Sequence, residues 1–215
     1  MQATPALSRD FDVPSGAAVS VVTSLEMLTR PAATSAARRG NEDFELRRAH
    51  SPTAGWYRQI FLRIGQDWLW FSRLQLSDAD LCSIIHDPCV EVYALQDGPT
   101  EVGLLELDFR TPHMCEIKFF GLIVPMIGRG AGRWLIDRAI EIAWAKPIVR
   151  LWVHTCTHDH PSAIPFYLRS GFRPFQQHIE IFPDPRLTGI LPREAAPHIP
   201  IIGDETQFLM QAPVS

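Results

Sequence analysis

Residues 115–144 read CEIKFFGLIVPMIGRGAGRWLIDRAIEIAW, and this stretch decides the fold. Its first part, residues 116–124, is rich in Ile, Phe and Val, which is typical of a β-strand. Beyond Gly130 the apolar residues recur at helical spacing, so the sequence predicts a helix that begins there. Residues 125–130 connect the two parts as a tight turn. The stretch therefore predicts a strand, a glycine-rich turn and a helix in immediate succession.

The turn has the features of an anion site. Gly128, Gly130 and Gly132 remove side chains where the helix N-terminus presents unpaired N–H donors and a partial positive charge. Arg129 and Arg133 add full charges suited to phosphate oxygens. The spacing matches neither the Gly-x-Gly-x-x-Gly dinucleotide pattern nor a Gly-Lys-Ser/Thr phosphate loop. We interpret the turn as a pyrophosphate cradle, and the alternative is a plain turn whose glycines serve close packing.

The composition bounds the class of protein. The chain has 215 residues, of which 46% are hydrophobic and 20% charged, enough for one good-sized domain with appendages or for two small domains. A net charge of −4 argues against a dedicated nucleic-acid binder. No run of 18 apolar residues and no secretory signal are visible, and the four cysteines lie far apart. We therefore expect reduced thiols, a cytoplasmic location, and neither a nucleic-acid nor a membrane partner.

Strand-like runs surround the central stretch. Residues 90–96, 101–110 and 114–124 are joined by short turns and predict an antiparallel meander. The strand predicted after the glycine-opened helix, residues 148–155, implies a locally parallel pair. The remaining predictions are an edge strand at 20–29, a loop at 31–41, an undecided element at 44–49, short helices at 78–86 and 161–170, and a strand at 172–182. An exposed strand in the last position could pair between subunits, so a homodimer is possible.

The predicted domain organisation has three parts. Residues 1–18 are expected to be a flexible tail, residues 19–182 the domain, and residues 183–215 a proline-rich extension packed on it. Within the domain, residues 54–76 combine six aromatic side chains with arginines. They are interpreted either as the wall of a substrate pocket or as a helix that packs its aromatic face on the sheet.

The element order, together with IGRGAGRWL at 127–135 and PFYLRSGF at 165–172, resembles the GNAT (GCN5-related) N-acetyltransferase family over residues 54–182. That family has a Gln/Arg-x-x-Gly-x-Gly/Ala loop, whose last four positions are matched by residues 129–132. Ile127 stands at its leading position, a departure that concerns one side-chain contact and leaves the backbone cradle unchanged. The family's Asn-x-x-Ala-x-x-Phe-Tyr-x-x-x-Gly-Phe signature is matched in register by His160, Ala163, Phe166, Tyr167, Gly171 and Phe172, with His160 in the Asn place.

The resemblance implies an α/β (α+β) fold with a central mixed, mostly antiparallel sheet flanked by helices. It also implies acetyl-CoA as cosubstrate and direct transfer to a primary amine of a small molecule or peptide in a ternary complex. The alternative is a non-catalytic acyl-CoA-binding or sensing module on the same fold. The implied cofactor-binding residues are Phe120, Gly121 and Leu122 for the thioester arm, Ile127, Gly128, Arg129, Gly130, Ala131, Gly132 and Arg133 for the pyrophosphate, and His160 for the pantetheine arm or the helix start.

Glu116 is the predicted base that deprotonates the amine. By strand alternation it shares a face with Phe120 and Leu122, and some family members carry a Glu at this offset. Its apolar neighbours are expected to raise its pKa toward neutrality. The alternative is a structural carboxylate paired with Lys118 or an arginine. Glu106 and Asp108 share one face of the preceding strand and are reserve bases or ligands for a cationic substrate.

Tyr167 occupies the family's general-acid position. A phenol stays protonated at rest and can donate to a departing thiolate. The alternative is a tyrosine that only packs.

The run 154–160 contains His154, Cys156, His158 and His160 at alternate positions, which is compatible with a metal hydrolase. Four ligands along one straight strand span too far for a single tetrahedral ion, so no metal is expected. His154 and Cys156 are instead expected to line a cleft, and His154 is the alternative base, directly or through water.

Overall fold

The computed structural model describes residues 10–31 and 44–203. In these residues it shows one mixed seven-stranded sheet in the order β2-β3-β4-β5-β6-β1-β7. The strands are β1 (Ala17–Met27), β2 (Phe44–Arg48), β3 (Val90–Asp97), β4 (Thr100–Asp108), β5 (Met114–Leu122), β6 (Arg150–Cys156) and β7 (Arg173–Pro183). Only β5 and β6 pair in parallel; the other neighbours are antiparallel. The predicted mixed, mostly antiparallel sheet is confirmed.

Helices cover both faces of the sheet. They are α1 (Ala54–Gly65), α2 (Asp78–Ile85), α3 (Ala131–Trp144) and α4 (Ala163–Arg169). Side chains of α1 and α2 share a core with one face of β3 and β4, and α3 packs its apolar stripe on the opposite face of the sheet. The Thr53 hydroxyl accepts the backbone N–H of Trp56 and so caps α1. The Ser77 hydroxyl accepts the backbone N–H of Asp80 and caps α2 in the same way. The undecided element at 44–49 is the edge strand β2.

Strand β1 is not at an edge of the sheet, so that prediction is wrong. It pairs with β6 along one side and with β7 along the other. Residues 22–27 are all buried as a result. The β-branched sequence of β1 indicates a strand, but it carries no information about how many neighbours that strand has. The edge strand next to β1 is β7, whose predicted pairing between subunits stays a prediction.

A β-bulge in β5 changes which side chains share a face. Glu106 is opposite Phe119 and Leu107 is opposite Ile117, so Lys118 is an extra residue in β5. One inserted residue moves all later side chains to the opposite face. Glu116 therefore lies on the face of the sheet that packs against α1, the α1 face, together with Phe119 and Gly121. The expected common face of Glu116, Phe120 and Leu122 is wrong.

Beyond this bulge β5 and β6 separate. Their parallel pairing ends at Ile117 and Val153. Residues 119–122 pair only with β4, and residues 154–156 pair only with β1. The separation opens a gap through the sheet at the end of β5 that leads into the glycine-rich turn.

Residues 184–203 form an irregular segment that contacts the connection between α1 and α2. Leu191, Ala195 and Ala196 form a small buried cluster with Leu69. Arg186 forms a buried ion pair with Asp184 (Nη2–Oδ2 2.7 Å) and donates to three carbonyl groups of the same segment. The three-part domain boundaries stay a prediction. Residues 1–9, 32–43 and 204–215 lie outside the described residues, and they include half of the predicted tail and most of the predicted loop. None of the described helices has the length and apolar character that crossing a membrane requires.

Candidate active site

The gap between β5 and β6 opens into a cleft of about 1130 Å³. Its walls come from the ends of these two strands, the glycine-rich turn, α4, and the connection between α1 and α2. A smaller cavity of about 430 Å³ lies beside it on the sheet, and His154 and Lys118 line both. The cleft thus joins the predicted phosphate cradle to the part of the sheet that carries the predicted base.

The glycine-rich turn presents free backbone donors. Gly128 and Gly130 have φ values of +82° and +87°, a left-handed conformation that favours glycine. A Cβ atom at either position would meet no atom within 4 Å. Among the described residues, no carbonyl accepts the N–H groups of these turn and first-turn residues: Gly128, Gly130, Ala131, Gly132 and Arg133. The arrangement of free amides at the start of α3 is suited to bind an anion.

The cleft brings together most of the predicted cofactor residues. Those that line it are Phe120, Gly121, Leu122, Ile127, Gly128, Gly130, Gly132, Arg133 and His160. Arg129 and Ala131 do not line it. The Arg129 guanidinium lies 3.8 Å from the Met126 sulfur, and the Ala131 side chain is fully buried in the core.

Two of the lining residues also hold local structure. Arg133 forms an ion pair with Asp137 one turn later (Nε–Oδ2 3.0 Å). The Nδ1 atom of His160 accepts the backbone N–H of Ser162 at 3.1 Å, just before α4. His160 therefore orders the start of this helix, one of the two roles predicted for it, while its ring lies on the cleft wall.

Tyr167 lies on the cleft wall between aromatic neighbours. Its ring contacts those of Phe120, Phe166 and Phe172. Burial raises the pKa of Tyr167, and the charge of Asp159 raises it further. Within residues 10–31 and 44–203, no side chain hydrogen-bonds to its hydroxyl. The phenol is thus protonated and free to donate into the cleft.

Glu116 differs from its predicted state. Burial by itself would raise its pKa, but the hydrogen bond from His154 and the charge of Lys118 outweigh burial, and the pKa of Glu116 is lowered. The expected rise toward neutrality is therefore wrong. Glu116 Oε1 lies 3.1 Å from both Lys118 Nζ and His154 Nδ1. Glu116 lines the smaller cavity and not the large cleft. Its carboxylate contacts His154, which lines both.

Glu106 and Asp108 are already paired within the fold. Glu106 is fully buried and accepts hydrogen bonds from Tyr57 and Arg73, a triad that the sequence analysis missed. Asp108 binds Arg110 (Oδ2–Nη2 2.5 Å). Neither carboxylate lines the cleft. Arg73 does, and the arginines noted among the aromatic residues 54–76 were the only sequence signal for it.

The alternating His and Cys side chains do not converge. Among residues 10–31 and 44–203, no group of three potential metal ligands is close enough to hold an ion. His154 binds Glu116, His158 packs on Phe182, and the Cys156 sulfur accepts the His158 backbone N–H. Burial raises the pKa of Cys156 to about 11, so its thiol is protonated near neutrality.

Comparison with solved structures identifies similar folds. A GCN5-related N-acetyltransferase from Sphaerobacter thermophilus is 16% identical with a TM-score of 0.56, covering 76% of this chain and 51% of that one. A conserved protein of unknown function from Staphylococcus epidermidis ATCC 12228 is 14% identical with a TM-score of 0.53, covering 79% of this chain and 63% of that one. The chain thus spans less than two thirds of the length of both. At these identities the likeness shows the fold alone.

A third similar structure is an aminoglycoside acetyltransferase from an uncultured soil metagenomic sample, solved with trehalose. It is 13% identical with a TM-score of 0.51, covering 60% of this chain and 88% of that one. A comparison with curated protein sequences found no match. The family model for the acetyltransferase (GNAT) family matches residues 55–172, more than half of the chain. Because this model covers more than half of the chain, the chain belongs to the GNAT acetyltransferase family.

Proposed function

We propose that the protein transfers the acetyl group of acetyl-CoA to a primary amine by direct attack in a ternary complex. The observation that supports this most is that one cleft through the sheet is lined by the free turn amides, the protonated Tyr167 and His154, which is hydrogen-bonded to Glu116 behind it. Membership of an acetyltransferase family supports the class of reaction.

The residues around the cleft fit a CoA thioester. The amides of the turn at Gly128 and Gly130 would receive the pyrophosphate. Along residues 118–122 the edge of β5 that faces the gap has no strand partner, so its backbone groups can pair with the amides of the pantetheine arm as an added strand would. When bound, acetyl-CoA supplies the activated acyl group. The protein supplies its orientation and the proton transfers.

His154 is the proposed base, and Glu116 positions it. The lowered pKa of Glu116 keeps this carboxylate ionised near neutrality. It therefore accepts the Nδ1–H of His154, which leaves Nε2 as an acceptor for a proton of the amine. The His154 side chain is 38% exposed and lines the cleft, which allows contact with an acceptor. Glu116, which the sequence predicted as the base itself, becomes a positioning residue.

Tyr167 is the proposed acid. As the amine nitrogen bonds to the acyl carbon and the carbon–sulfur bond breaks, the amine proton passes to His154 and the phenol proton to the departing thiolate. Both groups are then restored by exchange with water. No metal is needed for any of these steps.

The test is CoA thiol release from acetyl-CoA in the presence of a panel of small amines and peptides. We expect His154→Asn to lower kcat/KM about 100-fold or more. His113→Asn is the matched control, since His113 lies between β4 and β5 outside both cavities. Glu116→Gln is expected to lower kcat/KM, because a neutral amide oxygen is a weaker acceptor for the His154 Nδ1–H than a carboxylate and holds the ring less firmly.

The same panel can overturn the proposal. Acetyl-CoA binding without thiol release on any amine would instead support the non-catalytic acyl-CoA-binding module. Full activity of His154→Asn would remove His154 from the mechanism and leave the acetyl transfer itself in place.

A further inference from the structure

The side chain of Trp70 bridges the two strands that separate. Its indole lies against Gly121 of β5, so close that a Cβ atom at Gly121 would be 2.9 Å from the ring. Its Nε1–H donates to Asp159 Oδ1, just after β6, at 3.2 Å. Trp70 therefore spans the gap from one strand to the other on the α1 face.

The bridge is held from several sides. Asp159 also accepts the Thr155 hydroxyl and the Cys156 backbone N–H, at 2.7 and 2.8 Å, which fixes it at the end of β6. The indole contacts the rings of Phe61 and Phe119. The backbone N–H of Trp70 donates to the Gly65 carbonyl at 2.9 Å. With this many contacts the ring is a fixed wall and not a mobile surface side chain.

We propose that Trp70 restricts the acyl group to acetyl, an inference that rests on the proposed function. The turn that would hold the pyrophosphate leads into α3, on the face to which Phe120 and Leu122 point. An acyl chain carried along the free edge of β5 passes through the gap toward the opposite face. At Gly121 that face is closed by Ile64 and by the indole. An acyl chain longer than acetyl that extends toward this face would meet the ring.

The acceptor has a separate approach on the same face. The helices α1 and α2 pack on β3, β4 and β5. The neighbouring surface of β6, β1 and β7 carries His154 and Glu180, which line the cleft next to the indole. An amine arriving over this surface reaches His154 without passing Trp70. The indole thus limits the acyl donor and leaves the entry of the amine open.

The experiment measures binding and thiol release with acetyl-, propionyl-, butyryl- and hexanoyl-CoA. A buried pocket discriminates about 10–200-fold per methylene that it cannot accommodate. For the unmodified protein we expect a preference for acetyl over butyryl of about 100-fold or more in kcat/KM and a matching order of affinities. In Trp70→Ala and Trp70→Phe we expect this preference to fall to about 10-fold or less.

Trp68→Ala is the matched control, because Trp68 lines the same cleft but contacts His160 and His198 instead of Gly121. It is expected to keep the acetyl preference. Desulfo-CoA, which has no acyl group, is expected to bind all variants equally and so shows that each is folded.

Three results would overturn the inference. One is equal affinity of the unmodified protein for acetyl- and butyryl-CoA, and another is an unchanged acetyl preference in both Trp70 variants. The third is the absence of any acyl-CoA binding, which would also end the proposed function. Selective acetyl-CoA binding without transfer to any amine would leave the Trp70 assignment standing while the proposed reaction fails.

Discussion

At the scale of single residues, Tyr167 and Glu116 show what a sequence signature can and cannot predict. Tyr167 is marked by the resemblance of PFYLRSGF to a family signature, and the structure places it on the cleft wall. The face of Glu116 does not follow from its strand, because Lys118 adds a residue to β5 and no alternation of apolar residues marks the insertion. The partner that lowers its pKa, His154, comes from a strand more than 30 positions away.

Tyr167→Phe is expected to lower kcat by about 10–100-fold, since the thiolate then leaves without its proton donor. The free energy of unfolding is expected to change by less than about 1 kcal/mol, because the hydroxyl has no hydrogen bond within the described part of the chain to lose. Because the pKa of Tyr167 is raised, its titration produces no loss of rate below pH ~10.

Tyr93→Phe is the control for the Tyr167 variant. The Tyr93 hydroxyl donates to Glu91 at 2.7 Å, away from the cleft, so its removal costs about 1 kcal/mol of stability and no activity. Measurements of kcat and of urea unfolding on both variants check the pair. A Tyr167→Phe protein with full kcat and reduced stability would make Tyr167 a packing residue.

At the scale of elements, helix α1 carries two glycines in opposite surroundings. Gly55 lies at its start, where an added Cβ would meet no atom within 4 Å. Gly65 ends the helix beneath Trp70, and a Cβ there would lie 2.4 Å from the Trp70 Cβ. The sequence predicts aromatic packing or a pocket wall for this segment, and both are present: Tyr57 and Phe61 are in the core, while Trp68 and Trp70 line the cleft.

Gly65→Ala is expected to destabilise the protein by about 1–3 kcal/mol, because the Cβ overlaps the Trp70 Cβ and the chain must shift. Gly55→Ala, the same change in the same helix, is expected to stabilise it by about 0.5–1 kcal/mol through lower unfolded-state entropy. Thermal and urea unfolding of both variants tests this. Equal effects of the two substitutions would mean that Trp70 does not pack against the end of α1.

At the scale of the whole molecule, several buried carboxylates make stability depend on acid. Burial by itself would raise the pKa of each, but hydrogen bonds from neighbouring donors outweigh it and lower the pKa. The carboxylates and their donors are Glu91 with Lys146 and Tyr93, Asp108 with Arg110, and Glu116 with His154 and Lys118. The sequence analysis named Lys118 as a possible partner of Glu116, but it could not find Lys146 for Glu91 or His154 for Glu116, because these donors lie on other elements.

The free energy of unfolding is therefore expected to fall most steeply on acidification below pH ~4.5. In this window the unfolded chain binds the protons first, since its carboxyl groups have the higher pKa. Each group adds up to about 1.4 kcal/mol per pH unit to the slope. Urea unfolding between pH 3 and 7 measures the slope of the unfolding free energy with pH.

Glu91→Gln is expected to reduce this slope, because Glu91 is one of the groups that cause it. Glu45→Gln is expected to leave it unchanged, since the Glu45 side chain is 66% exposed. If the unfolding free energy of the Glu91 variant falls with acid as steeply as that of the unmodified protein, this carboxylate is excluded as a source of the pH dependence.

The central place of β1 has a consequence for how the chain is made. Val21 in β1 donates its N–H to Thr157, which comes 136 residues later, and both strands that flank β1 are translated near the end of the described sequence. At 5–20 residues per second, β1 emerges from the ribosome roughly 7–27 s before its first partner strand exists. During synthesis it is an unpaired, β-branched segment open to chaperones and to other nascent chains. Faster translation of the codons between β1 and β6 would shorten this wait and is expected to raise the yield of folded protein without changing a residue.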